Sequence, residues 1–355
     1  MKKLFLGMTI ILFVVTLFGC SNKEKLYILN WGDYIDTELV KEFEKEFNVK
    51  VVYKTVGSNE IMESTIKNKK SPYDIVIPSE YMIDKLRKQE LIQEIDFSKL
   101  PNYENLTIFE DAENLIKTTE IANYFIPYVW GTVGILYNTS VPGLEEKIKA
   151  DPYGVLFDEN NPYKVGMYDS SRDAVAMALI ALGYDCNSNN DNELAKAEEL
   201  LKKSKFYAWG EDNLKSKVSQ GNLDLAMVYS GDYFDELFNT EEAELEVNFD
   251  YYAPNNTNIW IDGMVIPKNA RNTELAYKFI NFILDINNNA QNTDAIGYPS
   301  MFKEVYQILV SDEYGYTDDE KYYPFPENST RQLYKYVSDA HYAKLNEILE
   351  RVKVD

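Results

Sequence analysis

The sequence predicts an α/β protein of two lobes, each built on a mainly parallel sheet that is flanked by helices. Three observations lead to this fold class. Short strands rich in Val and Ile alternate with amphipathic helices, and successive β–α units of this kind form parallel sheets covered on both faces. The alternation starts afresh after residues 126–138. Without its first twenty residues the chain is about 335 residues long, which is more than one hydrophobic core usually serves.

The first block of elements begins with a strand at 26–31 and a helix at 37–47. Leu39 and Phe43 repeat at the spacing of one helix face, and Thr37 stands in the N-cap position. The pattern then predicts a strand at 49–56, a helix capped by Ser58 or Asn59, a strand at 73–79 and a helix at 82–92. This order of strand and helix is that of a parallel sheet.

The second block follows residues 126–138 and contains more strands. Strands are predicted to end at Asp169 and to cover 206–210, 223–231, 246–254 and 258–267. Helices are predicted at 172–184, 192–205, 213–221 and 272–285 (the last capped by Asn272), with a helical turn at 232–238 and a helical tail at 338–352. The polar stretches 187–194 and 287–292 are predicted to be loops.

The first nineteen residues are predicted to be a secretory signal. Lys2 and Lys3 precede an apolar run that ends at Phe18 and is too short to span a membrane. Gly19 and Cys20 follow, and this arrangement resembles the lipobox of bacterial lipoproteins, whose signal is cut before a cysteine that carries the lipid. The resemblance implies lipid attachment at Cys20 and a location on the extracytoplasmic face of the cell membrane. An ordinary signal with an incidental cysteine is the alternative.

The rest of the chain is strongly acidic and poor in reactive side chains. Removal of the signal takes two lysines with it and leaves 34 basic against 58 acidic residues, a net charge near −24. Such a charge argues against nucleic-acid binding and favours capture of cations, although solubility alone would also explain it. Cys186 is the one cysteine besides Cys20, so no intramolecular disulfide framework is expected. His341 is the sole histidine, is expected at the surface, and leaves little basis for a metal site or a catalytic triad.

Two loops with aromatic and polar side chains follow predicted strands of the first block. The stretch "LNWGDYID" (29–36) contains Trp31, Asp33 and Tyr34, and "PSEY" (78–81) ends the third strand. Ligands of parallel α/β sheets bind at the carboxyl ends of the strands. Both loops are therefore expected on one rim of the sheet, where they would form a binding site.

Six stretches resemble, in order and spacing, the spermidine/putrescine-binding proteins of bacterial ABC importers: "LNWGDYI", "YDIVIPSEYMIDKL", "PYVWGTVGILYN", "LDLAMVYSG", "IWIDGMVIPKNARN" and "IGYPS". The likeness runs through most of residues 26–305 and thins in the tail. It implies a periplasmic-binding-protein fold, with lobe one at 25–130 plus 262–305 and lobe two at 131–261 plus 306–355. The chain would cross between the lobes near 127–132, near 258–263 and again shortly after "IGYPS", and these crossings would form the hinge, with polyamine bound between the lobes.

The resemblance also implies partners and ligand contacts. A monomer without a cofactor would bind putrescine or spermidine and deliver it to an ABC permease. A polyamine needs carboxylates for its ammonium groups and flat apolar walls for its methylenes. The residues that match the family's ligand contacts are Trp31, Asp33, Tyr34, Ser79, Tyr81, Asp169, Asp173, Tyr229, Trp260, Asp262 and Tyr298.

Asp262 is the strongest of these candidates on physical grounds. Trp260 and Asp262 alternate along an apolar strand, so both side chains point from the same face. A carboxylate there is costly to bury unless a cation accompanies it. In the family these positions are a stacking ring and the main amine carboxylate. A salt bridge to a lysine or arginine of the chain is the alternative. Purely structural roles are also open for three other candidates: packing for Trp31 and helix capping for Asp33 and Ser79.

The chain departs from the family pattern at several positions. Ser170 stands where many relatives have a second acid, and Tyr229 stands where they usually have tryptophan. Asp169 would replace the missing acid, and Asp173 would receive the second amine. Arg172, between these two acids, is predicted to be their structural partner. Two further family positions match loosely, at Glu211 and Gln332.

Three other functions are open at this point, and one of them is ligand sensing by a lipoprotein that has no cognate importer. Ferric iron could be held by the adjacent tyrosine pairs Tyr251-Tyr252 and Tyr322-Tyr323. A hydrolase could use Asp173 and Asp262 as acid and base. No nucleophile elbow, metal-binding helix or phosphate loop in the sequence supports an enzyme, so none is predicted.

Overall fold

The computed structural model describes residues 23–311, 314, 316 and 322–354. The predicted signal at 1–19 and Cys20 lie outside the described residues. The strands in the described part are β1 (Lys25–Asn30), β2 (Lys50–Thr55), β3 (Ile75–Val76), β4 (Ile126–Asn138), β5 (Val165–Tyr168), β6 (Ala208–Gly210), β7 (Leu225–Tyr229), β8 (Phe249–Tyr252), β9 (Asn256–Met264) and β10 (Thr330–Leu333).

The helices in the same part of the chain include two short 3-10 helices, Phe97–Lys99 and Pro101–Asn105. The α-helices are α1 (Thr37–Glu46), α2 (Asn59–Lys67), α3 (Glu80–Lys88), α4 (Glu110–Lys117), α5 (Leu144–Ala150), α6 (Pro152–Leu156), α7 (Ser171–Ala181), α8 (Asp191–Lys203), α9 (Asn213–Ser219), α10 (Ser230–Glu242), α11 (Thr273–Ile283), α12 (Ile286–Ile296), α13 (Lys303–Leu309) and α14 (Asp339–Val354).

The strands form two sheets. The first is parallel, in the order β2-β1-β3, as the sequence predicts. The second has the order β10-β9-β4-β7-β5-β6, with β8 also paired to β4. Its β5, β6 and β7 are parallel to one another, whereas β4 is antiparallel to β7, β8 and β9. The second sheet is therefore mixed, and its antiparallel part is built around one long strand.

Two long strands connect the sheets. β4 and β9 pair antiparallel from Thr132↔Ile259 to Ile126↔Met264. Beyond this ladder β9 reaches the first sheet, where Val76 and Val265 exchange backbone hydrogen bonds of 3.0 and 2.9 Å. This is the predicted hinge of crossing strands. The residue bounds of the two lobes stay a prediction.

The crossing strand β4 is buried along nearly its whole length. All its residues except Asn138 are buried, as expected for a continuous apolar run inside a covered sheet. Trp130 has no exposed surface, and its ring lies 5.8 Å from the ring of Phe109 and 5.5 Å from that of Phe325. The core thus continues across the connection between the sheets.

Most of the predicted helices begin within one residue of the predicted start, but α3 and α10 begin two residues earlier than predicted, and one capping residue was wrong. The N-cap of α1 is Asp36 and not Thr37, because the Asp36 carboxylate accepts the Glu38 N–H at 2.7 Å. Ser58 caps α2 by accepting the Ile61 N–H at 3.2 Å. Asn272 occupies the predicted N-cap position of α11, but its side-chain amide donates to the carbonyl of Lys25 at 2.7 Å and makes no capping hydrogen bond to the helix.

The prediction of a loop at 287–292 is wrong, because these residues lie in α12. Asp285 caps this helix by accepting the N–H groups of Asn287 and Asn288. Asn292 is buried, and its amide donates to the Tyr128 hydroxyl at 2.9 Å. Distant partners therefore satisfy polar side chains that favour turns when they are judged locally. Similarly, α8 begins within the predicted loop 187–194, and α10 is a full helix where a single turn was predicted.

The tail forms the predicted helix α14, but His341 is buried and not at the surface. Its Nδ1 lies 3.2 Å from Oδ1 of Asn189, and burial lowers the pKa of the imidazole. β10, which the sequence pattern did not predict, adds to the edge of β9. Across residues 23–311, 314, 316 and 322–354, no helix has the length and apolar character required to cross a membrane.

Candidate ligand-binding site

A cavity of about 1120 Å³ opens between the two sheets. The loop after β1 and the start of α3 line it from the first sheet, and the ends of β5 and β7 with the start of α7 line it from the second. The connecting strand β9 and the segment after α12 complete the lining. All eleven residues predicted as ligand contacts border this cavity: Trp31, Asp33, Tyr34, Ser79, Tyr81, Asp169, Asp173, Tyr229, Trp260, Asp262 and Tyr298.

Asp262 is buried in this cavity, and only one of its two carboxylate oxygens accepts a hydrogen bond from the described residues. Its side chain is 5% exposed, and Oδ2 accepts a hydrogen bond of 3.0 Å from the Tyr34 hydroxyl. Oδ1 has no hydrogen-bond partner among the described residues, and no lysine or arginine in that part of the chain lies within 4.0 Å. Burial raises the pKa of this carboxyl to about 6, although the nearby side chains of Ser79, Tyr34 and Trp31 act to lower it. The alternative of an internal salt bridge is therefore not seen, and the free oxygen is available to a cationic ligand.

Aromatic rings surround this carboxylate. The ring of Trp260 lies 4.8 Å from that of Tyr298 at a steep angle of 84°, and 6.0 Å from the ring of Tyr229. Tyr34 in turn lies 5.8 Å from Tyr298. These rings provide faces for an ammonium group and for methylenes beside one carboxylate oxygen.

Two glycines make room for the rings. A Cβ at Gly131 of β4 would lie 2.5 Å from the Trp260 ring, and a Cβ at Gly231 of α10 would lie 2.3 Å from the Tyr298 ring. A side chain at either position would displace the ring, because contacts this short are not sterically allowed. The glycines therefore let the rings approach the backbone closely.

The loop after β1 holds Tyr34 in place through its backbone. The carbonyl of Tyr34 accepts hydrogen bonds from the Tyr128 hydroxyl at 2.8 Å and from the Asn30 amide at 3.0 Å. Asp33 is exposed at the mouth of the cavity with a left-handed φ of 43°. It does not cap α1. The indole N–H of Trp31 has no partner among the described residues, so this loop presents unused polar groups to the cavity.

The start of α7 supplies a second buried carboxylate. Asp173 is 4% exposed and accepts a hydrogen bond of 2.8 Å from the Tyr334 hydroxyl. Ser170 is the N-cap of the helix, and its hydroxyl accepts the Asp173 N–H at 3.4 Å. Asp169 is already paired with a cation of the chain, because Lys353 lies 2.7 Å from its carboxylate. Unlike Asp169, Asp173 has no lysine or arginine at salt-bridge distance among the residues that the structure describes.

The prediction that Arg172 pairs with the neighbouring acids is wrong. Its guanidinium carbon lies 3.7 Å from the centre of the Tyr81 ring, whereas Asp169 and Asp173 have the partners just described. Adjacent residues of a helix point in different directions, so Arg172 and Asp173 do not face each other. Tyr81 borders the cavity as predicted, but one ring face is covered by Arg172.

Two other candidates, Ser79 and Gln332, have contacts that the sequence did not indicate. Ser79 occupies the N-cap position of α3 without capping it, and its hydroxyl accepts a hydrogen bond of 3.1 Å from Asn59. Gln332 is not among the cavity-lining residues, because its side chain accepts the Cys186 N–H and donates to Asn256. Glu211 lies in the lining at an exposed position.

The lining is strongly negative. It contains ten carboxylates against three cationic side chains, Arg172, Lys215 and Lys353. One of the carboxylates that sequence reasoning missed is Asp232, which accepts the Tyr229 N–H at 3.0 Å and lies 3.3 Å from Lys215. Burial raises the pKa of this carboxyl to about 6. Its position one residue past the predicted end of a strand was the available signal. Tyr168 and Tyr334 also line the cavity and were missed.

The structure does not support the alternative of a ferric site. The two tyrosine pairs are absent from the cavity lining. The Tyr251 hydroxyl lies 3.1 Å from Oγ1 of Thr132, and Tyr322 stacks on Tyr316 with ring centres 4.4 Å apart. In the described part of the chain, no group of three or more His, Cys, Asp or Glu side chains is arranged to hold a metal ion.

Residues 38–324 match the family model described as bacterial extracellular solute-binding protein. The chain belongs to this family. It is 34% identical over 315 residues to a putrescine-binding periplasmic protein of Pseudomonas aeruginosa, with 84% of each chain covered. It is also 34% identical to the spermidine/putrescine-binding periplasmic protein of Escherichia coli over 291 residues, or 79% of this chain and 78% of the other.

A solved structure shows the same fold. The crystal structure of a spermidine/putrescine ABC transporter substrate-binding protein of Streptococcus pneumoniae superposes with a TM-score of 0.77 at 32% identity, and covers 93% of this chain and 99% of the other. The predicted two-lobed fold class is thereby confirmed. Membership of this family makes the protein an extracytoplasmic solute-binding component of a transport system and not an enzyme.

Proposed function

We propose that this protein captures a polyamine, putrescine or spermidine, outside the cytoplasmic membrane and delivers it to the permease of an ABC importer. The observation that carries the proposal is the free carboxylate oxygen of Asp262, buried between the rings of Trp260, Tyr34 and Tyr298. The names of the relatives in Pseudomonas aeruginosa and Escherichia coli support the same ligand class.

The site offers what an α,ω-diamine requires. One ammonium would lie against Oδ1 of Asp262 beside Trp260, and the second against Asp173 beside Tyr229. A desolvated ammonium–ring contact contributes about 2 kcal/mol, and a hydrogen bond to a charged group about 1.5–3 kcal/mol. Micromolar binding needs about 8 kcal/mol net of association costs. Two carboxylates and several rings acting together can supply that energy, whereas one contact cannot.

The lobes would close on the ligand by bending where β4 and β9 cross. In the proposed division, lobe one is 25–130 plus 262–305 and lobe two is 131–261 plus 306–355. Asp262 lies at the boundary, and Asp173 and Tyr229 belong to lobe two. A ligand that contacts both carboxylates would therefore draw the lobes together, as hinge closure requires. A closed monomer would then present both lobes to the permease.

Calorimetric titration of the mature chain, beginning at Ser21, tests the proposal directly. We expect saturable heat with putrescine or spermidine and none with 1,4-butanediol, which matches putrescine in length but carries no charge. The expectation follows because the buried carboxylates recognise charge and not only chain length. Equal binding of the diol, or no heat and no rise in melting temperature with either amine, would contradict the proposal.

We also propose that Cys20 carries the lipid that tethers the protein to the membrane. In cells grown with a labelled fatty acid, the wild-type chain should incorporate label and remain with the membrane fraction. A Cys20→Ala variant should lose the label, because the acyl chain has no other attachment point in the proposed motif. Equal labelling of the variant would show that the cysteine is incidental.

A further inference from the structure

Arg172 lies inside a cage of three tyrosine rings. Its guanidinium carbon is 3.7 Å from the ring centre of Tyr81, 5.3 Å from that of Tyr342 and 5.7 Å from that of Tyr334. All four side chains border the ligand cavity. We call the three rings the tyrosine cage. Rings arranged in this way bind ammonium groups in many proteins, but here the chain's own cation fills the cage.

The charge of Arg172 is not cancelled by a contacting carboxylate. The other two cations of the lining are paired, Lys353 with Asp169 at 2.7 Å and Lys215 with Asp235 at 2.7 Å. Arg172 has no carboxylate within salt-bridge distance among the described residues, and its buried Nε has no hydrogen-bond partner there. A fixed positive charge therefore stands in an otherwise negative cavity.

This charge lies next to the second ammonium position of the proposed function. The Tyr334 hydroxyl donates to Asp173 at 2.8 Å while the Tyr334 ring forms part of the cage, so cage and carboxylate share one side chain. Ser170, three residues before Asp173, carries no charge, and its hydroxyl accepts the Asp173 N–H as the cap of α7. Asp169, the other acid close to Asp173 along the described chain, is paired with Lys353 and therefore does not offer a free carboxylate to a third ammonium.

We propose that Arg172 determines specificity by occupying a cation position of the cleft, so that the site selects a short diamine over a longer triamine. This inference rests on the proposed polyamine function. Two ammonium groups can use Asp262 and Asp173 without entering the tyrosine cage. A third ammonium in the same cleft meets the guanidinium at short range, where repulsion between like charges is strong because both are partly desolvated.

The test compares putrescine with spermidine on the wild type and on two Arg172 variants by calorimetry. The wild type should bind putrescine more tightly. Arg172→Met removes the charge and leaves a long apolar stem in the cage, so the spermidine-to-putrescine affinity ratio should rise by at least about tenfold. Arg172→Lys keeps the charge, and its ratio should remain near the wild-type value.

The outcomes separate this inference from the proposed function. If neither amine binds the wild type, the proposed function itself fails. If putrescine binds but Arg172→Met leaves the affinity ratio unchanged, or if the wild type prefers spermidine, only the role of Arg172 is overturned. Should Arg172→Met fail to fold, Arg172→Gln provides a second neutral side chain, with thermal unfolding as the check, and the same change in ratio is expected.

Discussion

Replacing Asp262 by Asn is expected to weaken polyamine binding by at least about a hundredfold while leaving the unliganded protein as stable as the wild type, or more stable. The loss follows because removal of one partner from a buried, hydrogen-bonded charge pair costs about 2–5 kcal/mol. The unliganded variant is expected to keep its stability because, in the free protein, the Asp262 carboxylate is buried and its Oδ1 has no hydrogen-bond partner among the described residues. An amide is nearly the same shape and carries no charge to desolvate.

Asp74 offers a matched control, because it is a buried aspartate whose two carboxylate oxygens both accept hydrogen bonds. It has no exposed surface, and its two oxygens accept the backbone N–H groups of Tyr27, Arg271 and Asn272 at 2.8 to 3.0 Å. Asp74→Asn places an NH₂ group against at least one N–H donor. We expect it to lower the free energy of unfolding by about 1–3 kcal/mol and to leave the affinity for polyamine unchanged.

Calorimetry and thermal unfolding of both variants measure the two effects separately. Asp74, whose two oxygens accept backbone N–H groups, is expected to serve the fold, whereas Asp262, which borders the cavity with one buried oxygen unpaired, is expected to serve the ligand. If Asp262→Asn lowered stability as much as Asp74→Asn while keeping its affinity, Asp262 would be structural and another carboxylate would hold the amine.

Strand geometry made part of this site predictable from the sequence. Trp260 and Asp262 alternate along β9, and alternate residues of a strand face the same side; both line the cavity. The loops after β1 and β3 lie on the expected rim because parallel strands end together. Features of this kind depend on residues close in sequence, which a pattern can show.

Contacts between distant residues were not predictable in this way. The hydrogen bond from Tyr34 to Asp262 joins residues 228 positions apart, and the partner that stabilises Asn292 within α12 is 164 positions away. Arg172 was assigned to the acids beside it in the sequence, although helix geometry turns it towards Tyr81 of another element. Burial of His341 likewise depends on how α14 packs on the rest of the chain.

Burial also makes the site sensitive to pH. Two neighbouring carboxyl groups have raised pKa values because they are buried, Asp262 with a pKa of about 6 and Glu80 with a pKa of about 8. Glu80 is 1% exposed, and its Oε2 accepts the Ile261 N–H at 2.9 Å, one residue from Asp262. The tyrosines nearby, Tyr34 and Tyr298, have pKa values raised well above 10 and stay neutral.

The affinity for putrescine should fall about tenfold between pH 7 and pH 5. A carboxyl with a pKa of about 6 is about nine-tenths ionised at pH 7 and about one-tenth at pH 5, and the ammonium groups, with pKa values near 10, stay charged throughout. Between pH 7 and pH 9 ionisation of Glu80 adds a second negative charge, so affinity should rise further. Titration calorimetry at fixed ionic strength across pH 5–9 measures both changes.

The stability of the unliganded protein should change in the opposite direction. Because the folded pKa of Asp262 lies above its ordinary value of 3.8, protonation favours the fold, and this contribution is lost as the pH rises through about 6. The Asp262→Asn variant should no longer show the part of this stability loss that comes from Asp262.

Asp232 also has a pKa of about 6, so Asp232→Asn is the deciding control for the pH dependence of binding. If the fall in affinity below pH 7 persists in Asp232→Asn, Asp262 is the titrating group; if it disappears, the assignment is wrong. Glu80→Gln keeps an acceptor for Ile261 and should abolish only the rise in affinity above pH 7.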